Sequence, residues 1–271
     1  MNGPENHPQR VALVTGASSG IGEAFADVLA QEGFDLVITA RREERLHAVQ
    51  TRLQDRYGVR VHVIVEDLEQ PDAPARLCAE LDARGLTIDV LVNNAGYGVP
   101  GSFLSRSWDV HARFLRIMVT AVADLTHRLL PGMIERKYGR IVNVASLAGL
   151  VPAPAGHTLY AAAKAFLIKF SESLGHEVRR QGVFVTAVCP GFTFSEFHDV
   201  TGTRAMVRKM PAWMWMSAAD VARQGYNGVM EGKPVVITGR LNNVIAMAVR
   251  VLPQSVVTGV GRQIGRGYRK T

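Results

Sequence analysis

The run Val11-Ala-Leu-Val-Thr-Gly-Ala-Ser-Ser-Gly-Ile-Gly22 decides the fold of this chain. An apolar, β-branched stretch leads directly into a glycine-rich turn, and a helical pattern follows near Ile21–Glu32. Such a turn presents backbone N–H groups, and the start of a helix adds partial positive charge, so that together they favour a pyrophosphate. Gly16 permits the tight turn, Gly20 lets the phosphate approach, and Gly22 lets the helix pack near the strand. The run therefore predicts a dinucleotide-binding strand–turn–helix.

The size and charge of the chain narrow the classes of function. Its 271 residues suffice for one large α/β domain with a well-buried core. It carries 31 Lys and Arg against 24 Asp and Glu, a formal net charge of +7, which fits either an anionic partner or a solvated basic surface. The sequence has no aromatic-studded basic motif, so nucleic-acid binding is not predicted.

Two further features concern location and redox chemistry. The polar stretch 1–10 has no apolar core and no cleavage-like site, so it is predicted to be a flexible lead-in rather than a signal peptide. Cys78 and Cys189 are isolated and suggest neither a disulfide framework nor a metal site. We expect both to act as small apolar residues in a reducing cytoplasm, and we predict no metal.

Short β-branched runs alternate with longer helical patterns along the chain. The predicted strands are Val11–Thr15, Leu36–Ala40, Val61–Val65, Val90–Asn93, Ile141–Ala145, Val183–Val188 and Val235–Thr238. The predicted helices lie near Ile21–Glu32, Glu43–Tyr57, Ala73–Arg84, Trp108–Arg136, Thr158–Arg180 and Ala218–Met230. This alternation predicts the α/β class, as a single Rossmann-like doubly wound parallel sheet of about seven strands with helices on both faces. The predicted domain spans 11–240, and an apolar, then basic tail follows over 241–271.

Two predicted helices are unusually long. Trp108–Arg136 and Thr158–Arg180 carry more apolar surface than one face of a sheet needs. The surplus favours helix packing between subunits, so we expect a homodimer or homotetramer.

Tyr160, Lys164 and Ser146 form the candidate catalytic group. Tyr160 and Lys164 are four residues apart on a predicted helix, so they share a face. A nearby ammonium stabilises a phenolate and lowers the pKa of the phenol, which is about 10 in a free tyrosine. Ser146 follows the strand Ile141–Ala145, which places its hydroxyl at the carboxyl edge of the sheet, where ligands bind in this architecture. The three groups together could polarise a carbonyl and give it a proton as a hydride arrives.

Taken together, these pieces resemble the short-chain dehydrogenase/reductase family in its compact single-domain branch. The resemblance runs from about Val11 to about Thr238. It rests on five motifs in the family's order: Thr15-Gly-Ala-Ser-Ser-Gly-Ile-Gly22, Asn93-Asn-Ala-Gly96, Ser146, Tyr160-x-x-x-Lys164 and Pro190-Gly191.

The resemblance implies an oxidoreductase, such as a carbonyl reductase, that interconverts a ketone or aldehyde and an alcohol with a nicotinamide cofactor. Tyr160 is implied as the catalytic acid/base and Ser146 as the hydroxyl that orients the carbonyl. Lys164 is implied to lower the pKa of the tyrosine and to hold the nicotinamide ribose. The other implied cofactor contacts lie in the glycine-rich turn, the Asn-Asn-Ala-Gly motif and the segment after the sixth strand: Gly16, Ser18, Ser19, Gly20, Ile21, Gly22, Asn93, Ala95, Gly96, Pro190, Gly191 and Thr193.

The chain departs from the family pattern at two places. The family usually has a helix asparagine that holds a water of the proton relay, and counting back from Leu130-Pro131 that position falls on Met118. Either the relay is built differently or catalysis is weaker. The interval between Ser146 and Tyr160 is also one residue longer than usual, within Val151–His157, and a small loop bulge would absorb the extra residue.

The residues after the second and third strands bear on the choice of cofactor. Arg41 and Arg42 follow the strand Leu36–Ala40, and a guanidinium suits the 2′-phosphate of NADP(H). The same arginine pair would also fit the exposed start of a helix, where Glu43 and Glu44 balance its charge. We predict NADP(H) rather than NAD(H). Asp67 matches the family's adenine contact, and it could instead be a turn residue.

The segment 192–217 is rich in aromatic residues and methionines. It predicts a lid over an apolar substrate, although a helical flap packed onto the body fits the same residues. The apolar stretch Leu241–Val257 is too short and interrupted to span a bilayer. It could pack in the core or between subunits, or lie peripherally on a membrane with help from the basic residues near the end of the sequence.

Two other functions fit parts of the sequence. Gly16-Ala-Ser18-Ser-Gly20 has the G-x-S-x-G spacing of a serine-hydrolase nucleophile elbow, but this would leave Tyr160 and Lys164 unexplained. A cofactor-binding sensor or scaffold with weak or no catalysis would share the fold, and Met118 is the residue that favours it. The leading prediction is an NADP(H)-dependent oxidoreductase.

Overall fold

The computed structural model describes residues 9–153, 156, 158–194 and 211–252. Seven strands form one sheet in the order β3-β2-β1-β4-β5-β6-β9, and all six neighbouring pairs are parallel. Two two-residue strands, β7 and β8, form a separate ribbon. The strands are β1 Val11–Thr15, β2 Asp35–Ala40, β3 Val61–Val65, β4 Ile88–Asn93, β5 Gly139–Val144, β6 Val183–Cys189, β7 Thr193–Phe194, β8 Met216–Ser217 and β9 Val235–Ile237. The predicted doubly wound parallel sheet is confirmed.

Eight α-helices are described. They are α1 Gly20–Gln31, α2 Glu43–Tyr57, α3 Ala73–Ala83, α4 Trp108–Leu115, α5 Ala121–Glu135, α6 Thr158–Val178, α7 Ala218–Met230 and α8 Arg240–Val251. Helices α1, α2 and α7 contribute Phe25, Leu46 and Val221 to the apolar core on one face of the sheet. Helices α3 and α4 contribute Leu77 and Phe114 to the core on the other face. Because both faces are covered, the strands are apolar without alternation, as the sequence indicates.

The structure differs from the sequence prediction mainly at element ends. Strand β5 begins at Gly139, two positions before the predicted Ile141, because parallel pairing with Val183 extends the ladder to a residue of low strand propensity. The predicted helix over 108–136 is interrupted by a π-helical turn at Arg116–Thr120. Part of the apolar tail forms α8, which periodicity alone did not predict.

Within the described residues, the continuous helical stretch Trp108–Glu135 is the one stretch long and apolar enough to cross a membrane by length and composition. Phe114, Met118 and Leu125 of this stretch are buried in the core under the sheet. The core therefore accounts for part of the apolar composition of this stretch.

The topology gathers the candidate residues at one edge. Strands β1 and β4 are neighbours, so the chain order reverses between them, and the carboxyl ends of all seven strands meet at the same edge of the sheet. Crevices at such a reversal are the usual ligand sites of open α/β sheets. The glycine-rich turn follows β1, the Asn-Asn-Ala-Gly segment follows β4, and Ser146 follows β5.

Candidate active site

The glycine-rich turn has the geometry that a pyrophosphate cradle needs. Gly16 and Gly20 have φ of +67° and +61°, in the left-handed region that favours glycine. A Cβ on Gly22 would overlap the carbonyl oxygen of Gly16, so the helix start can approach the turn only with glycine there. Ser19 occupies the N-cap position of α1, but its side chain accepts no capping hydrogen bond from the helix. The first-turn N–H groups are thus left uncapped by Ser19 and can meet an anion.

A second set of contacts joins this turn to the end of β4. The Thr15 hydroxyl donates to the carbonyl of Val92 at 3.2 Å and accepts from the backbone N–H groups of Asn94 and Ala95, both at 3.0 Å. The Asn94 amide donates to the carbonyl of Thr15 at 3.0 Å. These bonds fix the two loops that flank the crevice. The sequence analysis did not single out Thr15 or Asn94 as site residues, and the doubled asparagine was the signal that could have found Asn94.

Asn93 points into the core, where it belongs to a buried polar chain. Its amide nitrogen donates to Asn143 Oδ1 at 2.9 Å, and the Asn143 amide donates to Ser171 Oγ at 2.9 Å. Ser171 in turn donates to the carbonyl of Leu167 at 2.7 Å. The chain links β4, β5 and α6, so the Asn93 side chain supports the sheet. Its implied cofactor contact stays a prediction.

Ser146, Tyr160 and Lys164 meet at the carboxyl edge. Ser146 caps a short 3₁₀ turn, and its Oγ accepts from the N–H of Ala148 at 3.1 Å. The Ser146 hydroxyl also shares a hydrogen bond with the phenol of Tyr160. Lys164 is buried, and its Nζ lies 5.7 Å from the centre of the Tyr160 ring and donates to the carbonyl of Val144 at 2.7 Å. The Ser146 hydroxyl and the Tyr160 phenol are therefore bonded to each other, and the Lys164 ammonium lies near the same tyrosine ring.

Burial dominates the electrostatics of this group. It raises the pKa of Tyr160 to about 12, against the opposing effect of the Ser146 hydrogen bond. It lowers the pKa of Lys164 to about 8. The expected lowering of the tyrosine pKa by Lys164 is therefore absent from this structure, because the ammonium is directed to Val144 and desolvation of the phenolate prevails. At neutral pH the phenol holds its proton and can donate it.

Arg42, rather than Arg41, reaches the glycine-rich turn. The Nη2 atom of Arg42 donates to Ser18 Oγ at 3.0 Å and to Ser19 Oγ at 2.8 Å. The Arg41 guanidinium instead forms an ion pair with Glu69, at 2.9 Å between Nη1 and Oε1. The sequence analysis gave both residues to the cofactor. In the structure Arg42 contacts Ser18 and Ser19, whereas Arg41 pairs with the carboxylate of Glu69.

The environment of Ser18 does not suit a nucleophile. Its hydroxyl oxygen accepts from both Nε and Nη2 of Arg42. A serine-hydrolase elbow needs a neighbouring base that accepts the serine proton, whereas arginine offers donors alone. The serine-hydrolase alternative therefore loses the one motif on which it rested.

Asp67 has a structural role in the turn after β3. Its Oδ1 accepts from the N–H of Glu69 at 3.1 Å, and its own N–H donates to the carboxylate of Glu66 at 2.9 Å. These two hydrogen bonds are those of a turn residue, which was the second interpretation of Asp67 in the sequence analysis. The adenine contact of Asp67 stays a prediction.

The segment after β6 borders the catalytic group. The carbonyl of Pro190 accepts from the N–H of Leu147, the residue after Ser146, at 2.9 Å. Thr193 is buried, and its hydroxyl donates to the carbonyl of Gly191 at 3.1 Å. The geometry thus places Pro190 against the residue that follows Ser146 and joins Thr193 to Gly191.

The described part of the predicted lid, 192–194 and 211–217, has an aromatic cluster at its base. The Phe194 ring stacks on Trp215 with centroids 4.9 Å apart, and Phe192 lies 5.6 Å from the same ring. Residues 195–210 of the lid, and residues 154, 155 and 157 of the predicted loop bulge, lie outside the described residues.

A small pocket beside Tyr160 was not predicted from the sequence. It is lined mainly by apolar and aromatic side chains: Val99, Phe103, His111, Phe114, Leu159 and Tyr160. These residues come from three separate stretches of the chain, and apart from Tyr160 they belong to no predicted motif, so only the fold brings them together.

Met118, at the family's asparagine position, is a core residue. It is buried within the cluster that includes Leu13 and Phe114. A Cβ on Gly96 would overlap its sulfur, so the thioether packs directly beneath the Asn-Asn-Ala-Gly segment. The position also lies in the π-helical turn Arg116–Thr120, a feature frequent at functional sites.

We expect Met118→Asn to lower stability without raising turnover. The amide would enter a packed apolar site, and leaving its polar groups unsatisfied costs about 1–3 kcal/mol. Thermal unfolding and steady-state turnover of the variant measure both effects, with Met118→Leu as the volume-matched control. Faster turnover at an unchanged melting temperature would instead show that the only defect is a missing amide in the relay.

The comparisons with known proteins agree with this geometry. A model of the short chain dehydrogenase family matches residues 10–204. A very-long-chain 3-oxoacyl-CoA reductase of Anas platyrhynchos is 38% identical over 198 residues, covering 70% of this chain but only 62% of that protein. An uncharacterized oxidoreductase of Myxococcus xanthus strain DK1622 is 34% identical over 255 residues, covering 94% of this chain and 97% of that protein.

A solved structure extends the likeness to three dimensions. A short-chain dehydrogenase from Sphingobium yanoikuyae, solved in complex with NADPH, superposes with a TM-score of 0.78 at 31% identity. The match covers 91% of this chain and 97% of the other. The family model spans the glycine-rich turn, Ser146, Tyr160 and Lys164 alike. The chain belongs to the short-chain dehydrogenase family of oxidoreductases.

Proposed function

We propose that this protein is an NADP(H)-dependent oxidoreductase that interconverts a ketone or aldehyde and an alcohol on an apolar substrate. The observation that carries the proposal is the grouping of Ser146, Tyr160 and Lys164 at the carboxyl edge of the sheet, where the Ser146 hydroxyl and the Tyr160 phenol are hydrogen-bonded. Tyr160 also lines the small pocket described above. A substrate carbonyl that approaches from this pocket would meet the phenol.

Each residue has a chemical task in the reduction. The Tyr160 phenol donates its proton to the carbonyl oxygen, and the Ser146 hydroxyl holds that oxygen by a hydrogen bond. The Lys164 ammonium donates to the carbonyl of Val144 in this structure. Turned toward the tyrosine, it would favour negative charge on the phenol oxygen once the proton has left. In the oxidative direction the same groups work in reverse.

The chain's own residues fit a bound nicotinamide dinucleotide. The glycine cradle and the uncapped start of α1 would hold its pyrophosphate, and Pro190, Gly191 and Thr193 would border its nicotinamide. When bound, the cofactor supplies or accepts the hydride. The family resemblance implies that Lys164 holds the nicotinamide ribose.

The preference for NADP(H) rests on Arg42. Its guanidinium, held by Ser18 and Ser19 at the mouth of the cradle, can turn to a 2′-phosphate and meet it with two charge-assisted hydrogen bonds. The complex of the Sphingobium yanoikuyae relative with NADPH supports the same choice.

We expect Arg42→Ala to raise the dissociation constant for NADPH about tenfold or more and to leave that for NADH almost unchanged. The lost charge-assisted contact contributes roughly 1.5–3 kcal/mol. Fluorescence titration with both cofactors measures the change. Arg41→Ala is the matched control, and we expect a smaller loss because Arg41 is held by Glu69. An equal loss for both cofactors would show that Arg42 serves the turn rather than the phosphate.

The activity itself is tested by following NADPH oxidation against a panel of carbonyl compounds. The panel includes a long-chain 3-oxoacyl thioester, because the Anas platyrhynchos relative is named for that substrate class. It also includes a bulky apolar ketone, a sugar ketone and an ester as the hydrolase control. Tight NADPH binding without turnover of any carbonyl would favour the sensor or scaffold alternative.

A further inference from the structure

We propose that helix α8 binds the surface of a membrane containing anionic lipid. This surface lies outside residues 10–204, which the family model matches. The proposal does not rest on the proposed reaction.

The outward side of α8 is an exposed apolar stripe. Its members follow the spacing i, i+3, i+4, i+7 and i+8, so they share one helix face. We call them the outer stripe: Val244, Met247, Ala248, Val251 and Leu252. Val244, Met247 and Val251 are 66%, 69% and 79% exposed, and none of the residues that the structure describes covers them.

The opposite side of α8 already packs against the protein. Ala246 and Asn242 are buried, and the Asn242 amide donates to the carbonyl of Thr238 at 2.7 Å. Since the inner side of α8 packs against the rest of the protein, the outer stripe is the side of the helix that is left to contact lipid.

The charge of this region fits an anionic surface. Residues 240–271 contain six Lys and Arg and no Asp or Glu. The whole chain has a formal net charge of +7, so most of this excess lies in the segment that begins with α8. Basic residues next to an apolar helix face are the usual device by which a protein holds an anionic membrane surface.

The same charge argues against a second copy as the occupant. A two-fold contact through the outer stripe would bring together two copies of α8, which carries Arg240 and Arg250 and no acidic residue. Like charges at such a contact repel, and no acidic group of α8 offsets them. An anionic lipid surface removes that repulsion and covers the stripe.

The aromatic ribbon beside α8 extends the surface. Asn242 Nδ2 lies 3.8 Å from the sulfur of Met216, which places the first turn of α8 against strand β8. Phe194, paired in the same ribbon, and Trp213 are exposed large side chains. Aromatic rings are favoured at the level of lipid headgroups. The membrane-facing surface would thus reach the base of the predicted lid.

Co-sedimentation of the full-length protein with vesicles tests the proposal. We expect binding to vesicles of phosphatidylcholine mixed with phosphatidylglycerol, weak binding to pure phosphatidylcholine, and release as salt is raised. The triple variant V244S/M247S/V251S should bind at least about tenfold more weakly, because its stripe no longer enters the apolar phase. Val65→Ser, an exposed valine on the opposite edge strand, is the matched control and should bind as the wild type does.

The charge contribution is tested by a second pair of variants. Changing Arg262, Arg266, Arg269 and Lys270 to Gln should weaken binding at least about tenfold. The charge-matched control changes four exposed arginines on helices α2, α3, α4 and α5 to Gln and should bind nearly as the wild type does: Arg56, Arg84, Arg113 and Arg128.

Three outcomes would overturn the proposal. The first is no vesicle binding by the wild type. The second is binding that both variant sets leave unchanged. The third is a molar mass by light scattering that falls from dimer to monomer in the triple variant without any effect on vesicles, which would assign the stripe to a second copy.

Discussion

Tyr160→Phe is expected to reduce turnover by roughly 10²–10⁴-fold, the usual contribution of a positioned acid. The variant removes the oxygen that carries the proton and keeps the ring that packs beside Lys164. NADPH affinity should therefore stay within a few-fold of the wild type. Turnover of the best carbonyl substrate and a direct cofactor titration give the two readouts.

The matched control is Tyr226→Phe on helix α7. The Tyr226 hydroxyl interacts with Glu32 on α1, away from the carboxyl edge, at 3.3 Å. We expect nearly wild-type turnover from that variant. Near-wild-type turnover of Tyr160→Phe would mean that another group supplies the proton.

Lys164→Met is expected to change how stability depends on pH. Burial lowers the pKa of Lys164 from 10.5 to about 8, so between these values the unfolded chain binds more protons than the folded protein. The free energy of unfolding of the wild type therefore rises with pH relative to the variant across this window. The full change is about 3 kcal/mol, since one pKa unit corresponds to about 1.4 kcal/mol.

Denaturant unfolding of both proteins at several pH values from 7 to 11 measures this difference. The comparison is insensitive to the lost hydrogen bond to Val144, because the cost of an unsatisfied carbonyl is the same at each pH. Lys169→Met on the same helix is the control, since Lys169 is 81% exposed in its ion pair with Glu172. A pH-independent difference between wild type and Lys164→Met would show that the lysine is solvated in the folded state.

Local patterns in the sequence were sufficient to predict the fold and the grouping of Ser146, Tyr160 and Lys164. Seven apolar runs predicted seven parallel strands, because strands buried on both faces need no alternation. Ser146 and the Tyr160–Lys164 pair were placed together by two simple rules, strand ends meeting at one edge and residues four apart sharing a helix face.

The remaining features depend on distances between segments far apart in the chain. Arg41 and Arg42 are neighbours, and nothing local decides which one reaches Ser18 and which one meets Glu69. The pKa of Tyr160 likewise depends on how deeply the fold buries it, and burial outweighs the nearby ammonium. The π-helical turn around Met118 left no sign in the helical periodicity.

The buried hydrogen-bond chain from Asn93 through Asn143 to Ser171 affects how precisely strands β4 and β5 are aligned. Asn93 and Asn143 are direct partners in the parallel register of β4 and β5, and their amides bond to each other. A slip of one residue between these strands would break that bond and shift Ser146 along the sheet by about 3.3 Å relative to the Asn-Asn-Ala-Gly segment. The asparagine pair, buried where water cannot compete, therefore fixes the register that holds Ser146 at its place relative to the Asn-Asn-Ala-Gly segment.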